Sequence, residues 1–64
     1  MKRLDLIRTI EDNSAVFVRH GSRHDWYRNV ITGHCEAVPR HREIDERLAW
    51  SIIRKLSTPP QGAN

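Results

Sequence analysis

The chain has one cysteine, Cys35, so no disulfide can close within it. A fold of 64 residues often leans on a disulfide or a metal, because so short a chain buries only about 60% of the surface its unfolded form exposes. A lone thiol fits a reducing compartment, and a cytoplasmic protein is expected. Long apolar runs are also missing. Nothing approaches the roughly 20 residues of a membrane span, and near the start charges alternate with Leu4, Leu6 and Ile7 instead of building a signal-peptide core. A soluble chain with no membrane partner is expected.

Several kinds of chemistry are excluded in the same way. Gly21, Gly33 and Gly62 are scattered, so no glycine-rich loop can cradle a nucleotide phosphate. Ser14, Ser22 and Ser51 lie in no nucleophile elbow. His34 and Cys35 are adjacent, and adjacent residues of a strand point to opposite faces, which disfavours a cysteine–histidine pair. His20 and His24 are four apart, but Gly21-Ser22 breaks any helix between them, and no Cys/His spacing resembles a zinc finger. Neither a metal nor a small-molecule cofactor is expected.

What the chain does have is arginine in one place. The net charge is only +3. Between Arg19 and Arg42, however, five arginines stand against Asp25 and Glu36, while elsewhere cations and carboxylates cancel. All four histidines lie in this same stretch. The planar guanidinium fork suits phosphate, and a localised basic segment is the footprint of a polyanion binder. A solvated surface of mixed sign is the plainer alternative.

The order of elements follows from periodicity. Leu6, Ile7 and Ile10 recur at helical intervals within Arg3 to Asp12, and Asn13 is the expected left-handed terminator. Ala15 to His20 is rich in Val and Phe and reads as a strand. Gly21-Ser22 supplies a turn into a second strand, His24 to Arg28, and a third strand runs from His34 to Val38 until Pro39. From Asp45 onward, Leu48, Ala49, Ile52, Ile53 and Leu56 form a second helical stripe. The expected fold is α+β in the order α-β-β-β-α. Two helices pack on one face of a three-stranded antiparallel sheet, with a single domain over 1–57 and a disordered tail over 58–64. Alternation divides the second strand into His24, Trp26 and Arg28 on one side and Asp25 and Tyr27 on the other. An aromatic falls in both sets, so the sequence does not say which side is buried.

Cleavage of RNA asks little of a protein, because the substrate brings its own nucleophile, the 2′-hydroxyl. A histidine, with an ordinary pKa of about 6.5, can take that proton, and arginines can stabilise the phosphorane. His24 follows Arg23 and the small residues Gly21 and Ser22, which permit close backbone approach. The competing reading of His24 is an ordinary strand histidine. Arg28 belongs to the same basic segment, and Arg40, His41 and Arg42 form a charged stretch that reads either as phosphate contacts or as a polar loop.

Two strings bear on the choice. Val18-Arg19-His20-Gly21-Ser22-Arg23-His24-Asp25-Trp26-Tyr27, followed by Val38-Pro39-Arg40-His41-Arg42-Glu43-Ile44, resembles the HicA family of toxin–antitoxin ribonucleases. Chain length, element order and the trailing Ile52-Ile53-Arg54-Lys55-Leu56 are similar as well. The resemblance implies a fold like a double-stranded-RNA-binding domain, mRNA as substrate and neutralisation by a HicB-like antitoxin. It places the catalytic histidine at His24, with Gly21 and Ser22 as motif partners. It also favours RNA contacts from Arg23, Arg28, Arg40 and Arg42. His41 is the candidate to protonate the leaving 5′-oxygen, with water as the alternative. Three positions depart from the family pattern: Arg23 where many relatives have a histidine, Ser14 where glycine is expected, and Val30 where Asn-Pro is more usual. A non-catalytic RNA-binding domain of the same fold is the alternative function, and an interaction module docking an acidic protein is a third.

Overall fold

A computed structural model describes residues 1–57, so the expected tail over 58–64 lies outside the described residues. Helix α1 (Arg3–Asp12) is followed by strands β1 (Ala15–His20), β2 (His24–Asn29) and β3 (Cys35–Pro39), then by helix α2 (Glu46–Leu56). The strands form one antiparallel sheet in the order β1-β2-β3. The architecture is α+β, as the periodicities predict.

In α1, Leu6 and Ile10 lie one helical turn apart and are fully buried. The helix does not end as the sequence suggests. Asn13 keeps a negative φ, and the left-handed residue is Ser14, at φ 75°. The reason is local: the Asn13 side-chain amide donates back to the Thr9 carbonyl at 2.9 Å, so the reversal of the chain falls one residue later.

In α2, Asp45 is the N-cap and accepts from the Leu48 N–H at 3.3 Å, while Arg54 and Lys55 stand in the last turn against the negative end of the helix dipole. Ala49, Ile52, Ile53 and Leu56 are buried. Leu48, expected in the stripe, is instead 44% exposed, while its neighbour Ala49 is fully buried, so the buried stripe runs through Ala49 and leaves Leu48 at its margin.

Both helices cover the same side of the sheet. Along β2, Asp25, Tyr27 and Asn29 are buried, while His24 and Arg28 are exposed and Trp26 is half-buried. β1 contains a bulge between Phe17 and Arg19. Phe17 faces Tyr27, but beyond the bulge Arg19 faces Trp26 and His20 faces Asp25. An unbroken register would have set Arg19 against Asp25 and His20 against His24. The extra residue thus carries the Arg19 guanidinium over the Trp26 ring, 5.5 Å from its centroid, and brings His20 to Asp25.

Asn29 holds three chain segments together. It is fully buried, and its Nδ2 donates to the carbonyls of Asn13 at 2.8 Å and Leu56 at 2.6 Å. Its Oδ1 accepts from the N–H groups of Ile31 at 2.8 Å and Thr32 at 3.0 Å. One side chain therefore satisfies backbone groups at the ends of both helices and in the β2–β3 turn. At the other end of the molecule, the first residues run against the segment leading into α2. The Arg3 N–H donates to Arg42 O at 2.8 Å, and the Ile44 N–H donates to Met1 O at 2.8 Å.

Candidate nucleic-acid interface

The site is built on the turn between β1 and β2. The Gly21 N–H donates to the His24 carbonyl at 2.7 Å, and a Cβ at Gly21 would stand 2.9 Å from that same oxygen. Glycine is required there by this close approach and by Trp26, whose Nε1 would lie 3.2 Å from the added carbon. His24 opens β2, opposite Pro39. Its side chain belongs to the set with Trp26 and Arg28, on the face the helices leave uncovered. The alternation that left two choices in the sequence is resolved in favour of an exposed His24.

Arg40 fastens this turn. Its Nε donates to Asp25 Oδ1 at 3.0 Å and its Nη1 to the Ser22 carbonyl at 3.3 Å. Its Nη2 donates to the Gly21 carbonyl and, at 3.3 Å, to that of His24. A residue expected to touch phosphate is therefore committed to holding the hairpin, although its charge remains at the site. On the other side of the same carboxylate, Arg3 Nη2 donates to Asp25 Oδ2 at 2.7 Å and Arg3 Nε to the Pro39 carbonyl at 2.8 Å. His20 Nδ1 completes the set, 2.8 Å from Oδ1.

Asp25, only 7% exposed, is thus the point where α1, β1 and the segment after β3 meet. The His20 hydrogen bond, followed by the Arg40 contact, holds its carboxyl below the usual value near 3.8. A depressed carboxylate contributes stability that is complete above its unfolded pKa and is lost as pH falls through the folded one. Acidification below about pH 4 should therefore loosen the hairpin in the wild type. The Asp25→Asn variant should start less stable and lose less over the same range. Denaturant melts of both proteins between pH 5 and pH 2 measure the difference, and parallel curves would remove Asp25 from the account.

The remaining sequence candidates have free side chains. Arg23, His24, Arg28, His41 and Arg42 are exposed, and among the described residues none of their side chains forms a hydrogen bond or ion pair. Ser22 is exposed and contributes its carbonyl to Arg40. His24, Arg28, Trp26 and Arg19 share the uncovered sheet face. Arg40, His41 and Arg42 lie in the segment between β3 and α2, joined to the His24 turn through Arg40.

His34 is elsewhere, with its Nε2 on Glu36 Oε2 at 2.5 Å. Cys35 is exposed in β3. Among the described residues no three of His, Cys, Asp and Glu gather in a metal-holding group, and no helix is long and apolar enough to cross a membrane.

Sequence reasoning did not find Asp25, Arg3 or His20. The available signal was a carboxylate in the middle of a strand within an otherwise basic segment. Its partners lie 22 residues before it and 15 after it, spacings that no local pattern connects. No family model, curated protein or solved structure matches the chain.

Proposed function

We propose that this chain is an endoribonuclease toxin of the HicA type, cleaving mRNA without a metal and silenced by a HicB-like antitoxin in the cytoplasm. The observation that carries the reading is the placement of His24. Its backbone is locked by Gly21 and Arg40, while its side chain, unpaired among the described residues, stands on the uncovered sheet face that Arg19 and Arg28 share. A histidine kept for packing would be buried and hydrogen-bonded. This one is held in place and left free, as a general base needs to be.

In the proposed reaction the His24 imidazole takes the proton of an RNA 2′-hydroxyl. The 2′-oxygen attacks the adjacent phosphorus, and the bond to the 5′-oxygen breaks. The leaving oxygen collects a proton from His41 or from water. The products are a 2′,3′-cyclic phosphate and a 5′-hydroxyl. Arg23, next to His24 in the turn, stabilises the negative charge that develops on the phosphorane oxygens, and Arg28, further along β2, binds the strand. Arg42 binds the flanking backbone, and Arg40 keeps the turn in shape while adding its charge.

The test is cleavage of RNA by the purified chain in excess chelator, with the ends of the products identified. Persistent cleavage leaving a cyclic phosphate is expected. Activity that disappears on chelation and returns with magnesium or zinc would overturn the mechanism.

A further inference from the structure

Beside the His24 turn lies an open cavity of about 740 Å³, lined by Lys2, Arg3, Leu4, Arg40, Arg42 and Glu43. Four of its six residues are cationic. They come from opposite ends of the fold, brought together by the pairing of the first residues with the segment before α2. Two of the cations are fixed and two are free. Arg3 and Arg40 are clamped by Asp25, and Arg3 Nη1 retains donors with no partner among the described residues. Lys2 and Arg42 are exposed, and among the described residues their side chains form no hydrogen bond or ion pair. Glu43 is the one acidic lining residue, and its carboxylate is 3.6 Å from the Met1 ammonium, which offsets it. Leu4 is 73% exposed, an apolar surface among charges.

We propose that this cavity is a second nucleotide subsite. It would hold one residue of the RNA strand next to the cleaved linkage, with the phosphate on Lys2 and Arg42 and the sugar or base against Leu4. The proposal deepens the ribonuclease reading and rests on it for the identity of the strand. A cavity of several hundred Å³ with an apolar wall and a few converging polar groups suits a nucleotide-sized ligand. Arg40 belongs to both places: it lines the cavity and bonds the His24 carbonyl, so a strand seated here lies against the turn that holds His24.

The experiment uses a 2′-deoxy oligonucleotide, which lacks the nucleophile and so reads binding apart from cleavage. Amide shifts of the full chain are mapped during titration, and affinity is measured by fluorescence anisotropy across a range of salt. Shifts are expected at Lys2 to Leu4 and at Arg42 and Glu43. In the Lys2→Ala/Arg42→Ala variant, the slope of affinity against salt should fall by roughly 0.7 for each lost contact with a single strand. The fold should survive, because the bonds at these two positions are made by the backbone.

Absent shifts at those amides, or an unchanged slope, overturn the subsite. So does a polyglutamate peptide that moves the same amides as strongly, which would assign the cavity to an acidic protein. RNA cleavage with an unchanged slope leaves the His24 chemistry intact and removes this subsite together with the Arg42 backbone contact. Binding here by a chain that leaves RNA whole does the reverse.

Discussion

His24→Ala should reduce RNA cleavage by about 10²–10⁴-fold, the usual cost of losing a general base, and should relieve growth arrest when the chain is expressed. Its melting temperature should stay within about 4 °C of the wild type, because an exposed substitution away from special contacts changes stability by no more than about 0.5 kcal/mol. The separation of the two readouts follows from the geometry. The bonds that fix this residue, from Gly21 and Arg40, end on its carbonyl, and alanine keeps that carbonyl. Retained binding of a 2′-deoxy oligonucleotide by the folded variant would place the loss in chemistry. An unfolded variant would mark His24 as a structural residue, and a folded, fully active one would exclude it from the mechanism.

The largest effect on stability is expected at Asn29. Asn29→Ala strips partners from the carbonyls of Asn13 and Leu56 and from the N–H groups of Ile31 and Thr32. Ile31 and Thr32 are exposed and can turn to water, so the cost concentrates on the two carbonyls, the Leu56 bond being fully buried. The buried Leu56 carbonyl left unsatisfied costs about 1–3 kcal/mol and the part-buried Asn13 bond about 1 more, which gives about 2–4 kcal/mol in all. A chain of this size has only about 3–10 kcal/mol of total stability. A fall in melting temperature of roughly 10–25 °C is therefore expected. Asn29→Asp should be no better, because it replaces the donor facing two carbonyls with another acceptor. Thermal melts of both variants measure this, and a shift below about 3 °C in either would show that the three segments are held together by other contacts.

The fold was legible because each helix carries its own period. Leu6 with Ile10, and Ala49 with Ile52, Ile53 and Leu56, mark buried stripes that need no knowledge of the tertiary structure. The β-hairpin was legible from Gly21-Ser22 between two apolar-rich runs. The site was read less completely. His24 and its basic neighbours stand out by residue type, but the face they occupy depends on what lies inside β2, and the inside contains Asp25 and Asn29, two residues that sequence patterns assign to surfaces. Their burial is tolerated because partners satisfy them, and the distant ones among these, Arg3 and Arg40 for Asp25 and the Asn13 and Leu56 carbonyls for Asn29, leave no trace in local spacing. The bulge after Phe17 was invisible for the same reason: it adds one residue to the register without changing the composition of the strand. Leu48 shows the opposite error, an apolar residue at the right spacing that lies at the margin of the buried stripe and meets solvent.

β2 divides its labour by parity. Asp25, Tyr27 and Asn29 keep the chain folded, while His24, Trp26 and Arg28 meet the solvent. In evolutionary terms the two sets can drift independently. On the ribonuclease reading proposed above, a lineage can lose its catalyst through a single codon and still produce a well-folded chain with its charged surface intact. Such a silent copy would go on occupying whatever inhibitor recognises that surface, and so change the dose at which an active sibling escapes control. An alteration at Asp25 or Asn29 acts differently, since it weakens the fold and the surface together.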